Sequence, residues 1–231
     1  TYNWVTNKQG NAEVLARTDT NDAFRGLPLK MFTNSHGLTT VVSESYDRNM
    51  STESFARMRV HESYFGNICV TRLNDEGDEL WGTVLPKSQF YKSYRQFYHP
   101  ADLAKRWQQQ AMFNDMPQQV YERQFVSANS YTVGNDLYVV YNDCNENIKE
   151  GLDKSLDTMF VSAMSNACVY RIDKKNNVTK KYLYGEPLPR EYKSSFIEGA
   201  DFDDKRRTYA SVIRYKRGEF VTLRLAWARF P

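Results

Sequence analysis

The chain has 231 residues, with 31 Lys and Arg against 28 Asp and Glu, for a net charge of +3. With the two signs mixed along the chain the expected field is weak, which gives no footprint for nucleic acid, and no apolar run approaches the roughly 20 residues of a membrane-spanning helix. Aromatic residues make up 14% of the chain, sixteen Tyr and thirteen Phe among them, which favours strands over a helical bundle.

From Thr1 to Lys30 the pattern is weak: Glu13 to Arg17 fits a short strand, and Asn21-Asp22, Gly26 and Pro28 read as loop. Gly37 opens a β-branched run from Leu38 to Ser43 that Asp47-Arg48-Asn49 closes, and Ala56, Met58 and Val60 alternate with Arg57 and Arg59 as in a half-wet strand. Cys69 to Leu73, the turn Asn74-Asp75-Glu76-Gly77 and Leu80-Trp81 then make a hairpin. Residues 91–123 read as a helical insertion, with Leu103, Trp107 and Ala111 on one face and Pro117 as the stop. Strands resume at Gln124 to Thr132, and Val133-Gly134-Asn135-Asp136 turns the chain into Leu137 to Tyr141. A polar cap over Asn142 to Asn147 follows, then strand candidates at Thr158 to Met164, Ala167 to Ile172 and Val178 to Tyr184. Glu186 to Lys205 lacks a strand pattern. The chain closes with Tyr209 to Tyr215, a turn at Lys216-Arg217-Gly218, and Phe220 to Trp227, where Val221, Leu223, Leu225 and Trp227 share a face.

The segment Ile68 to Gln89 recurs in altered form near Cys168 to Ile172, with Asp173-Lys174-Lys175-Asn176 as the second turn. Asn176 stands where Gly77 stood, so both turns need a residue that tolerates positive φ. The fold class is therefore mainly β: antiparallel repeated hairpins in a propeller-like arrangement, whole or partial, or a sandwich, with a short helical insertion, in one domain over 1–231 or part of a larger one. About a dozen strands make three four-stranded blades, below the four to eight that close a propeller.

Val70-Thr71-Arg72-Leu73 through Gly77 to Trp81, Leu85 to Gln89, Ser130-Tyr131 through Leu137 to Asp143 and Asn147, and Val169 through Tyr184 occur in an order that resembles uncharacterised exported proteins of Bacteroidota. The resemblance covers Ile68 to Phe230 and matches the propeller-like C-terminal half of those proteins. It implies an export route, to the periplasm or outer membrane, and a β-rich scaffold; it brings no catalytic residues. No signal-peptide pattern is found near Thr1, so the chain is expected to be either processed or a piece of something longer.

The chemical inventory is sparse. His36, His61 and His99 are isolated, and there is no GxSxG or phosphate loop, so no catalytic set, metal site or cofactor is expected. Asn142 to Asn147 offers oxygen ligands but fails as a calcium loop begun at Asp143, because Ile148 and Lys154 stand where Gly and Glu are required, and it reads as an Asx-closed turn. Cys69, Cys144 and Cys168 read as buried thiols; a Cys69–Cys168 disulfide needs the two strands to be adjacent. Tyr91, Tyr94, Arg95, Phe97, Tyr98 and Trp107 are the candidate interface, set against simple packing of the insertion onto the sheet. The expected function is a non-enzymatic scaffold with a protein partner, a subunit of a periplasmic or outer-membrane assembly. The alternative is a carbohydrate-binding or carbohydrate-active protein using Asp201 and Asp203 beside aromatic residues.

Overall fold

The computed structural model describes residues 2–3, 8–9, 26–34, 37–53, 58–93, 124–150, 157–160 and 164–231; for 2–3, 8–9, 50–53, 58–61, 92–93 and 160 it describes the backbone alone. In chain order the strands begin with β1 (Tyr2–Asn3), β2 (Lys8–Gln9), β3 (Leu27–Thr33), β4 (Thr39–Glu53), β5 (Met58–Leu73), β6 (Glu79–Leu85) and β7 (Gln89–Ser93). Next come β8 (Ala128–Val133), β9 (Asp136–Asp143), the helix α1 (Asn145–Glu150), β10 (Met159–Phe160), β11 (Asn166–Ile172) and β12 (Val178–Tyr182). The last four are β13 (Glu191–Ser195), β14 (Asp201–Asp203), β15 (Thr208–Arg217) and β16 (Phe220–Arg229).

Besides the small β1–β2 ladder, three sheets form. The first runs β10-β7-β5-β4-β3 with β6 also on β5, and the second β12-β11-β9-β8. In the third, β13 and β14 share one side of β15 and β16 takes the other. The molecule is mainly β and its pairs are antiparallel, except that β10 runs parallel to β7 over two residues. Among the described residues the sheets do not close into a barrel or a propeller ring.

The repeated turn is confirmed in its backbone: Gly77 has φ 86° and Asn176 φ 66°. In both, the first residue accepts the N–H of the fourth and donates its own N–H to the fifth, while its Asx side chain accepts the N–H of the fifth. Asn34, Gly37 and Leu38 build a third copy, with Gly37 at φ 79°. Gly37 is also crowded: a Cβ there would lie 3.2 Å from the Asp75 Cβ in the neighbouring turn, which would have to give way by a few tenths of an ångström.

Three apolar clusters join the sheets. Val42, Ile68, Val70 and Leu85 of the first sheet meet Leu137, Val139, Tyr141, Cys168, Tyr170 and Ile172 of the second. The opposite face of the second sheet, with Tyr138, Val140 and Ala167, packs on Tyr209, Ile197 and Phe230 beside the third. Phe65, Tyr91, Met159, Phe125, Val126 and Phe196 link the first sheet to the third, with Val212 against them. The second sheet is thus apolar on both faces, which explains the unbroken Leu-Tyr-Val-Val-Tyr run in β9.

A buried polar relay runs through the same region. Glu44 and Lys87, both fully buried, pair at 2.6 Å, and Ser127 donates its hydroxyl to Glu44 at 2.7 Å. The Ser127 N–H, on a residue held at φ 69°, donates to Gln89 Oε1, and Gln89 Nε2 donates to the Asn142 carbonyl. The Asn142 amide donates to the carbonyls of Phe125 and Ser195 and accepts the Ser195 N–H. Ser195 Oγ then meets Tyr209 Oη and Ser211 Oγ. A second buried pair, Asp143 and Lys180 at 2.9 Å, lies beside it, with Lys180 above the Tyr141 and Tyr170 rings.

Several sequence expectations change. Leu27 to Thr33 is a strand, not loop: Pro28 is tolerated on the sheet's edge, where a bulge lies between Pro28 and Lys30. Asp47-Arg48-Asn49 do not end their strand, because β5 pairs along all of β4. Residues 191–195 and 201–203 are strands that polar composition conceals, Ser194 and Ser195 being buried. Asn142 and Asp143 end β9, and 145–150 is helix rather than turn. Tyr91 belongs to β7, while 94–123 lies outside the described residues. The expected buried thiols hold at Cys69 and Cys168, which are free and sit in different sheets, whereas Cys144 is half-buried; burial pushes the Cys69 thiol up to about 11 and the Cys168 thiol higher.

Replacing Asn142 by Leu strands the Phe125 carbonyl and both backbone groups of Ser195, and is expected to cost about 3 kcal/mol or more in urea denaturation. Gly134→Ala, at φ 60° with open space around it, should cost roughly 1 kcal/mol, and Gly37→Ala more, because the contact with Asp75 adds to the backbone term. Equal losses at the two glycines would mean that the Gly37 and Asp75 turns are not in contact.

Candidate interaction surface

The third sheet ends in β16, and the distribution of side chains on this strand is inverted. On β15, Tyr209, Ser211 and Ile213 are buried toward the rest of the molecule. The register places Ala228, Ala226 and Arg224 of β16 beside them on that same face. The strand therefore turns Ala226 and Ala228 inward, with Arg224 beyond them. Its large ones, Val221, Leu223, Leu225 and Trp227, lie on the opposite face and are 54 to 68% exposed. Phe220, at the turn, is 82% exposed.

This outward face is the continuation of a core face. Leu225 pairs with Val212, and Val212 packs against the cluster of Phe65, Phe125 and Phe196. One strand further, the same apolar surface is uncovered. Phe230 fixes the end of β16: its buried ring stacks on Tyr138 at 4.3 Å with the planes 5° apart. Gly218 at φ 58° makes the tight turn that starts the strand. Among the described residues β16 pairs with β15 alone, so one side of a ten-residue strand presents unpaired backbone groups.

The closing stretch of the sequence is one-sided in charge, with the acidic Asp201, Asp203 and Asp204 just before it and Asp203 pairing with Arg206. Residues 205–231 hold eight basic residues and a single acidic one, Glu219, leaving 23 basic and 27 acidic residues for the rest of the chain. The near-neutral total thus hides a strongly basic final hairpin on a net acidic body. Arg224 lies over the Tyr215 ring at 3.7 Å, and Lys205, Arg206, Arg207 and Arg229 line a hollow at the end of the strand with Phe230 and Pro231.

Comparison of the chain with protein-family models, curated proteins and solved structures finds no match.

Of the sequence-derived interface residues, Tyr91 is 5% exposed and sits in the second cluster, so it packs the sheet and offers no free surface. Tyr94, Arg95, Phe97, Tyr98 and Trp107 lie outside the described residues. Asp201 and Asp203 are exposed on β14, and both bind locally. Asp201 Oδ1 accepts the Phe202 N–H, and Asp203 Oδ1 accepts the N–H groups of Lys205 and Arg206. The aromatic between them, Phe202, faces inward against Tyr131 and Phe230. The oxygens of Asp143 and Asn147 in the polar cluster serve Lys180, Cys144 and Asp157. A second hollow, at the turn end between the first two sheets, is lined by Asn34, Arg72, Thr132, Asp136 and Lys174. Two of its charges already have partners: Arg72 donates to Asn176 and lies over Trp81, and Asp136 pairs with Arg171 at 2.6 Å. Among the described residues no group of His, Cys, Asp and Glu is placed to hold a metal ion, and no helix is long and apolar enough to cross a membrane.

Sequence reasoning placed Val221, Leu223, Leu225 and Trp227 on one face but did not show which way that face points. The available signal was Ala226 and Ala228 on the alternate positions, too small to fill a core-facing row.

Proposed function

We propose that the protein is a non-enzymatic β-scaffold that binds another protein through the third sheet. The observation that carries this reading is the exposed row of Val221, Leu223, Leu225 and Trp227 beside a strand edge that no described residue pairs with. Contiguous apolar rows of this kind on a folded protein mark contact sites, since leaving them in water invites non-specific association. The resemblance to exported Bacteroidota proteins supports a site of action at the periplasm or outer membrane, as a subunit of an assembly. It also supports reading the sheets as blade-like units of a partial propeller. The carbohydrate alternative has weaker support, because Asp203 caps its own turn and Phe202 is turned inward.

The test is site-specific photo-crosslinking in the native host. A photoreactive residue at position 225 is expected to form an adduct with another polypeptide, while the same residue at exposed Lys181 on β12 forms none. Adducts from neither position would sink the interaction reading.

A further inference from the structure

We propose that β16 is the acceptor edge for an extended, acidic segment of another protein, which adds to the third sheet as its fifth strand. This rests on the interaction reading above and names the chemistry of the partner.

Three properties of the strand select that chemistry. Among the described residues its second edge is unpaired over ten residues, and the backbone groups along it need a partner that can donate and accept in a ladder. Its outward side chains alternate, Val221, Leu223, Leu225 and Trp227, so an added strand covers them with apolar residues at every second position. Its surroundings are basic: Arg224 and Arg217 lie on the face of the intervening positions, Lys216 and Arg229 flank the apolar row, and Lys205 and Arg207 lie beside the strand's end, where Arg206 pairs with Asp203. The intervening positions of the incoming strand are therefore acidic.

The same properties disfavour other occupants. A second copy paired through β16 about its middle would bring the two Arg224 side chains together and set one basic hairpin against another, and like charges opposite each other on a sheet are destabilising. A bilayer would take up Trp227 and Leu225 but would leave the edge N–H and C=O groups without partners. Nucleic acid would answer the charge and leave the apolar row uncovered.

The test uses the whole chain and a short capped peptide that alternates Glu with Val and Leu, followed by fluorescence anisotropy. Binding is expected to be at least about tenfold tighter than for the same peptide with Lys in place of Glu, and to weaken with added salt. Methylating the peptide's pairing amides should abolish it. Arg224→Glu should weaken it roughly tenfold, and Arg224→Gln by less, with the circular dichroism of both variants unchanged. Equal binding of the Glu and Lys peptides, no binding of either, or full binding of the methylated peptide would overturn the proposal. So would tighter binding to phosphatidylglycerol vesicles or oligo-dT than to the acidic peptide, or a dimer in sedimentation that Trp227→Asp dissociates. If the peptide fails while position 225 still crosslinks to a polypeptide, the strand chemistry falls and the interaction reading stands; if both fail, both fall.

Discussion

Asn142 is the point at which the three sheets are tied together. Its side chain bonds the Phe125 carbonyl and both backbone groups of Ser195, and its carbonyl receives Gln89 from the first sheet. Around that knot the fully buried Glu44–Lys87 pair and Ser127 extend the network into β4, and Ser195 carries it to Tyr209 and Ser211 on β15. Apolar contact alone is non-directional and would let stacked sheets slide; a fully engaged polar network in a low-dielectric interior admits one arrangement. The apolar clusters supply the drive to stack, and Asn142 and its neighbours set the register in which stacking is allowed.

The consequence for function lies at the far side of the third sheet. β15 is held from one side by this relay and by Tyr209 in the third cluster, and its other face by Val212 against Phe125 and Phe196. β16 receives little of that. It is anchored by its ladder to β15 and by Phe230 on Tyr138, while its large side chains, on the same face as Val212 but one strand further out, are left exposed. For the binding proposed above, the ladder to β15 already shapes the strand, so little ordering is left to do on association.

Much of this architecture was legible in the sequence where local rules dominate. The hairpins at Cys69 to Trp81, Cys168 to Tyr182 and Tyr209 to Trp227 announce themselves by alternation and by a turn residue able to take positive φ. Gly77 and Asn176 do take it. What was not legible depends on tertiary partners. β13 carries Ser194 and Ser195, which look like loop until Asn142 and Tyr209 are brought to them. Pro28 looks like a breaker until its strand is found on an edge. The polar run at Asn142 reads as a surface turn because sequence does not show that Phe125 and Ser195 wait there with unpaired backbone groups. The basic final hairpin was present in the sequence throughout, but a whole-chain net charge averages it away.

Binding through β16 requires its outward face to be unnecessary to the fold. The most direct measurement is the urea denaturation of the Leu225→Asp, Trp227→Asp double variant. Both residues are 68% exposed, so the loss of stability is expected to be no more than about 1 kcal/mol for the pair. A loss of several kcal/mol, of the size that follows truncation in a core, would show that this face is packed in the folded protein and would contradict the claim that it is held open for a partner.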